Sequence, residues 1–416
     1  MRANRRITFI FMLMGMGLCS AQHQPNDYRS EYYAVLPFWE SPYQPVKGAC
    51  PITEEEALKR IHLKVDYNAN NQVIATHVKL GNHYKEFEGR FGNLNINAPL
   101  TKMVYHGNEE IHTFFDRFKN QIAVMGNVYR KTYEKDEHGR NIALTFADEN
   151  GEMAADWFGV VRYTWTHEPD GSIIEERLDE DGKLVPLRSD FQFLRTRMMF
   201  NEQGYFGTIQ NIDSTGNLVN TDSGAAVFQY FYDQQGRFNR WEVFDKDGQR
   251  AVGPSHTSGE QNTWYPYDLK DIIFFNQELN PATHWSGAQR WHFEIDAYGN
   301  KTSLEFQNSK GEPMNANGGY AKYVAEWTSD GLHLVSESYF DKDGAKTVHK
   351  IAGMHRVVYV RNAVGLITEK RYLGTSDKLI NRNDNGIAVE KIQYDEYYRR
   401  TGTAFFDEQG KPVQNP

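Results

Sequence analysis

Hydrophobic and polar residues alternate along most of this chain in short runs of about eight, broken by Asp- and Gly-rich turns. Alternation of period two over such lengths predicts half-buried β-strands. The stretch Leu332–Lys350 (LHLVSESYFDKDGAKTVHK) shows the unit: a strand with an aromatic end, an acidic turn, and a second extended run. Versions of it recur throughout, so a search for internal periods decides the fold. Aligned on the residue closing the second strand, the copies fall at Phe115, Phe146, Leu178, Ile212, Phe244, Phe275, Phe306, Phe340, Tyr372 and Phe406, spaced by 31 to 34 residues. The glycines of the first turn keep the same ruler, with Gly139, Gly171, Gly204 and Gly236 lying 32, 33 and 32 apart and Gly299, Gly331 and Gly365 continuing it.

Each copy reads as a hairpin. Its first turn is Asp-x-x-Gly or a relative, as in Asp233-Gln-Gln-Gly236 and Asp296-Ala-Tyr-Gly299. A second acidic turn follows, as in Asp245-Lys-Asp247-Gly248, Asp341-Lys-Asp343-Gly344 and Asp407-Glu-Gln-Gly410. Asp caps its own turn and Gly accepts the positive φ that such turns need. A hairpin alone is marginal in water, so the copies must pair or stack around a common core. The expected fold is all-β. It is an array of about ten antiparallel β-hairpin repeats of roughly 32 residues forming a continuous meander, shell or solenoid, with a short N-terminal helix.

Three parts depart from the repeat. Residues 1–21 have a basic start (Arg2, Arg5, Arg6), an apolar core Ile7–Leu18 too short for a comfortable membrane span, and small residues before Gln22, which predicts a signal peptide. A second reading anchors the chain as a lipoprotein through Cys19, although Leu18 fits that pattern poorly. Residues 22–61 combine aromatics and prolines, predicting an extended arm along the first repeats, and Thr53-Glu-Glu-Glu56 resembles a capping box that opens a short capping helix through His62. Residues 62–416 form the repeat domain, opening on an early hairpin with an Asn-rich turn at Leu63–Gly81. Its copy at 254–287 is irregular. One stretch conflicts with itself: Ile111, Phe114, Phe115, Phe118 and Ile122 have helical spacing, yet Phe115 sits on the repeat ruler. The register predicts a strand there.

Loss of the three N-terminal arginines takes the net charge from −9 to −12, which argues against nucleic acid, whose phosphates demand a basic face. No later run approaches the length of a membrane span. Only Cys50 remains after cleavage, so no intrachain disulfide forms and the β core must supply stability.

Candidate chemistry is sparse. Asp179-x-Asp181-Gly182, Asp245-x-Asp247-Gly248 and Asp341-x-Asp343-Gly344 each offer two carboxylates beside a glycine, but none supplies the third ligand and the bidentate Glu of a calcium loop. Asn381-x-Asn383-x-Asn385-Gly386 has neutral side chains and Ile392 at the closing position. His284 and His292, or His349 and His355, lack the spacing of a zinc site. Neither a metal nor another cofactor is expected. No hydrolase, phosphate-loop or Cys-x-x-Cys motif occurs. Glu175, Glu337 and Glu369 each stand three residues before the end of their copy's second strand, which speaks for repeated structure. Cys50 offers a lone thiol, too little for a nucleophilic site. The less regular aromatics Trp264, Tyr265, Tyr267, Trp285 and Trp291 gather in and beside the irregular copy and are the candidate ligand-binding residues.

The recurring turn, as in Tyr232-Asp233-Gln-Gln-Gly236 and Tyr394-Asp395, resembles the YD (Rhs-type) repeats of bacterial surface and toxin-shell proteins, and the pattern is also similar to MORN-type repeats. The likeness spans about residues 62–414, with a period longer than in those families. It implies an antiparallel β meander or shell and carries no catalytic residue across. Together these features predict an exported bacterial β-repeat protein, periplasmic or extracellular, acting as a non-enzymatic binding or scaffold module for an envelope protein or glycan. The second reading is an exported glycan-active enzyme with carboxylates in a groove along the array. The third is a purely structural envelope component.

Overall fold

The computed structural model describes residues 28–36, 38–44, 46–86, 97–188 and 191–414. The expected signal peptide and Cys19 lie outside them. The described residues form one antiparallel sheet of 26 strands in which neighbours in sequence are neighbours in space. The strand Arg29–Val35 begins it, pairing with Ala49–Ile52 on one side and Ile61–Tyr67 on the other. Hairpin then follows hairpin to Val389–Tyr394 and Arg400–Phe406, beside which lies the two-residue strand Pro412–Val413. Among the described residues no helix is long and apolar enough to cross a membrane.

Local chemistry explains each hairpin. In the turn after Tyr232, the Asp233 carboxylate accepts from the amides of Gln235 and Arg237 at 2.9 and 3.0 Å, and the Gly236 amide returns to the Asp233 carbonyl at 3.0 Å. Gly236 has φ +80, a conformation that costs other L-residues about 1 kcal/mol. A register shift between Phe231 and Tyr232 absorbs the extra turn residue as a bulge. Asp179, Asp245 and Asp341 use an oxygen in the same way, each accepting two backbone amides. These carboxylates therefore serve their turns.

The disputed stretch resolves as the register predicts: Glu109–Phe115 is a strand, with Phe114 buried and a turn at Asp116. The Thr53–Glu56 capping box is present, but the helix covers only Glu54–Ala57. It does not reach His62. Ile61, Leu63 and Val65 alternate with less apolar neighbours and are drawn into a strand on the sheet, which buries all three. The irregular copy is a regular hairpin, Gly259–Tyr265 with Asp268–Phe275. Its irregularity lies in chemistry: Leu279 takes φ +65 in a turn where most copies place Gly and two others place Lys119 and Asp377.

The sheet winds back on itself. Tips of successive hairpins dock in order along the start of the chain. Lys47 Nζ donates to the Gln203 carbonyl at 2.7 Å, the Cys50 amide to Gln235 at 2.8 Å, and the Ile61 amide to Tyr298 at 2.7 Å. Arg60 pairs with Asp268 at 2.8 Å, and Lys85 donates to the carbonyls of Gly331 and Leu332 at 3.0 and 2.7 Å. Arg117 reaches the Val364 carbonyl at 2.7 Å, and Asn120 the Tyr397 carbonyl at 2.8 Å. The opposite rim is laced by amides: Trp285 to Ser255, Asn317 to Ser286, Lys350 to Gly318 and Asn383 to Ala352, all within 3.0 Å.

The wound sheet has an inner face. In its first half the predicted arm fills that face. Phe38 stacks on Phe238 at 4.2 Å and meets Tyr230 at 5.3 Å, while Tyr43 packs on Trp165 at 5.4 Å and Phe200 at 5.7 Å. Trp39, Glu40 and Ser41 are buried. The polar groups carried in are matched: Glu40 pairs with Arg188, and the Ser41 hydroxyl donates to Glu175. Glu175 also takes Arg177 at 2.5 Å and the Trp165 indole at 2.9 Å, in a fully buried pair. Burying such charges is tolerable only with partners of this number and geometry.

Candidate functional site

The inner face of the second half carries different residues. Glu337 accepts from the hydroxyls of Tyr323 and Tyr359, and Glu390 from Tyr372 and, at 3.1 Å, from Lys370. No arm residue is bonded to this surface among the described residues. It opens into a cleft of about 840 Å³.

One wall of the cleft is the last two hairpins, with Arg361, Lys370, Tyr394, Arg399 and Arg400. The other is the turn after Phe115, with Asp116, Arg117 and Phe118, joined by Tyr129. Their meeting point is fixed by Phe118 against Tyr398 at 4.5 Å and by the Asn120–Tyr397 bond. Tyr394 is pinned through its hydroxyl to the Ile367 carbonyl at 2.9 Å, and burial pushes its pKa up.

Charge in the cleft is mixed, and the acids are engaged. Glu86 faces Arg117 at 3.3 Å. Asp116 accepts the amides of Phe118 and Asn120 at 2.8 Å. Asp395 takes the amides of Tyr397 and Arg399 and the Arg399 guanidinium at 2.7 Å. Partial desolvation works to raise Asp395, but these donors hold it below the usual carboxylate range. The cations are engaged differently. Arg400 bonds only to the Thr403 hydroxyl among the described residues, so its charge meets no carboxylate there. Arg361 donates to the carbonyls of Gly365 and Leu334 at 2.7 and 3.1 Å.

A smaller cleft of about 320 Å³ lies near the arm, lined by Glu110, His112, Tyr133 and Lys135. Burial alone would raise Glu110, but His112 at 2.6 Å and Lys135 at 2.9 Å hold it at about 2. Lys135 matches the charge of Glu110, while burial lowers the pKa of His112.

The five aromatics singled out in the sequence do not form one patch. Tyr265 is 72% exposed at a hairpin tip. Tyr267 shares that tip, its ring beneath Arg60 at 4.7 Å and its hydroxyl 3.4 Å from Glu56. Trp264 is half-buried, its indole donating to the Phe238 carbonyl at 2.9 Å. Trp285 lies at the far rim, where its amide meets Ser255, and Trp291 sits on the next strand opposite Ile272, about 10 Å along from the level of Trp264. They flank His284 at 5.0 and 4.8 Å, and Trp291 continues into the core against Phe274 and Phe306. Burial lowers His284 to about 4.

The cleft residues carry no motif. One signal was available. The residue before the first turn is Phe200, Tyr232, Tyr265, Ile295 and Trp327 in the fourth to eighth copies and Tyr394 in the tenth, but a cation in two others, Lys135 in the second and Arg361 in the ninth, and each of the two lines a cleft. A cation in an aromatic column marks the wall of a cleft.

No family model matches the sequence, and no curated protein matches it. Among solved structures, the chain is similar to TcdB2-TccC3-TEV at 12% identity and a TM-score of 0.25, over 86% of this chain and 21% of that one. It is similar to TcdB2-TccC3-Cdc42 at 11% identity and 0.22, over 85% and 23%. A porin-like protein from Bacteroides uniformis ATCC 8492 matches at 11% identity and 0.21, over 73% and 91%. The chain thus spans under a quarter of the length of the first two. TM-scores this low carry nothing of those proteins' roles over to this chain.

Proposed function

We propose that this chain is an exported binding module of the bacterial envelope, and that its recognition site is the cleft on the inner face of the last hairpins. The ligand is an extended anionic chain, protein or glycan. The observation that carries the reading is Arg400, a guanidinium that meets no carboxylate among the described residues, set in an open cleft walled by Tyr394, Tyr398 and Phe118 within a chain of net charge −9. A planar cation and aromatic rings recognise carboxylates and the flat faces of peptides or sugars.

The glycan-active enzyme asks for two carboxylates free to act on one bond. Here Glu86, Asp116 and Asp395 are committed to Arg117, to turn amides and to Arg399. That leaves Glu149 as the lining acid without such a bond among the described residues, which favours binding over catalysis.

The test is a pull-down from native envelope extract with residues 22–416, comparing the parent with the charge reversal Arg361→Glu/Arg400→Glu. A retained protein or acidic glycan lost on reversal supports the reading. A partner retained equally by both chains, or none retained by either, overturns it.

A further inference from the structure

The two turns that meet at the cleft both break the rule of their repeat. Gly236, Gly299, Gly331 and Gly365 close the first turns of their copies at φ +80, +93, +70 and +81. The tenth copy places Tyr398 at that position, at φ +68. Facing it is the second turn of the first copy, where Lys119 takes φ +72 and the next two copies have Gly151 and Gly182. A bulky side chain in this region is an outlier, held only where its surroundings fix it. Packing accounts for part of the ring, which lies against Phe118 at 4.5 Å. It does not use the whole of it: Tyr398 is 39% exposed and lines the cleft.

Three kinds of group meet at this ring. Arg400, two residues on, bonds only the Thr403 hydroxyl among the described residues, and Lys119 stands exposed on the facing turn. Asn120 and Gln121 line the cleft and spend their side-chain nitrogens on the carbonyls of Tyr397 and Tyr129, at 2.8 and 3.3 Å. Their side-chain oxygens are left as acceptors without a donor among the described residues. Each kind selects a feature of the ligand. A guanidinium takes a carboxylate, and an aromatic ring takes a flat apolar face. Free acceptors ask for hydroxyl donors, and an ionised Asp or Glu side chain only accepts. A sugar unit that carries both hydroxyls and a carboxylate answers all three. The cleft volume of about 840 Å³ lies in the range of sites for small ligands.

We propose that the ligand of the cleft is a uronate-containing glycan, with one sugar ring stacked on Tyr398, its carboxylate on Arg400 and its hydroxyls on Asn120 and Gln121. This rests on the cleft being the recognition site, narrows its ligand to an acidic sugar chain, and makes Tyr398 the residue that selects it. An acidic peptide brings carboxylates but no pyranose face, so it is an outcome of the test.

The experiment uses residues 22–416 and fluorescein-labelled probes followed by anisotropy: an oligogalacturonate, an oligomannuronate, the methyl ester of each, and an acidic peptide of equal charge. Tyr398→Gly restores the residue of the other copies and removes the ring, while Tyr398→Phe keeps the ring. Melting is read for every chain. One of the two uronates is expected to bind tighter than its ester and than the peptide by about tenfold or more. Tyr398→Gly is expected to weaken that binding by about tenfold or more, and Tyr398→Phe to stay within about twofold of the parent. Tyr398→Gly with parent affinity, whatever its melting temperature, overturns the role of the ring. The ranking of probes on the parent chain needs no variant, so it decides the sugar class even where Tyr398→Gly does not fold. Equal binding of uronates and peptide, both abolished by Arg361→Glu/Arg400→Glu, overturns the glycan and leaves the anionic cleft standing. Binding of none of the probes overturns the glycan proposal, and the extract pull-down then decides the cleft separately.

Discussion

The two halves of the inner face are built from the same hairpin and finished in opposite ways. Between Arg130 and Phe244 the arm covers the strands. Tyr133, Tyr163, Trp165 and Tyr230 are buried, Glu175 and Arg177 are paired out of solvent, and the buried Glu40 meets a partly exposed Arg188. Between Arg356 and Phe406 no arm residue is bonded to the strands among the described residues. The face instead carries Tyr359, Lys370, Tyr394 and Arg361, partly buried and opening on a cleft. One repeat thus packs against the arm in the first half and lines a cleft in the second. Hairpin propensity is satisfied in both halves, so the difference rests on what lies over the sheet.

That contrast predicts unequal mutational costs. The largest belongs to the buried pair: Arg177→Met leaves Glu175 charged and unmatched, and urea unfolding is expected to show a loss of about 3–5 kcal/mol. Removing an arm anchor is next, with Trp39→Ala costing about 3 kcal/mol or more because the ring is 6% exposed. Lys370→Ala on the open half is expected to cost under about 1 kcal/mol, since the amine is partly exposed and Glu390 keeps the Tyr372 hydroxyl as a donor. Equal losses for Trp39→Ala and Lys370→Ala would erase the distinction between the halves.

A third effect depends on pH. Burial raises Glu260 to about 7, against the hydrogen bonds from Trp241 and Asn262 that favour its charge, and Glu40 adds repulsion. The folded chain then holds a proton that the unfolded chain, titrating near 4.5, releases first. Its contribution to stability is present below about 4.5, falls as pH rises to about 7, and is gone above that. Glu260→Gln is expected to flatten this slope and to stabilise the chain at pH 8 by about 1–3 kcal/mol, with little change at pH 4. Melting curves at the two pH values decide it, and parallel curves for parent and variant would refute the shift. The smallest effect is at Leu279, 47% exposed at φ +65, where Leu279→Gly relieves backbone strain. A gain of about 0.5–1 kcal/mol is expected in the same assay.

The hairpins were legible in the sequence because their causes are local. Alternation, the turn Asp and the turn Gly act within one copy, and the ruler placed Phe115 in a strand against its helical spacing. The winding was not legible. Arg60 meets Asp268 across 208 residues and Asn120 meets Tyr397 across 277, and no short-range pattern encodes such pairs. The spread of the five candidate aromatics was not legible for the same reason. Conspicuous aromatics such as Trp291 turned out to serve the core, while the cleft gathers modest residues from the second and last hairpins. Trp285 and Tyr265, both exposed, sit on opposite rims rather than side by side.

Hydroxyl-radical footprinting of residues 22–416, with and without envelope extract, tests the central claim most directly. Tyr265 and Trp157, at 72% and 63% exposure, serve as references away from the cleft, and Tyr394 and Tyr398 report on it. The account predicts that extract protects Tyr394 and Tyr398 while labelling of Tyr265 and Trp157 holds. Protection centred on Tyr265 and Tyr267, or on Trp285, with the cleft tyrosines unchanged, would contradict it.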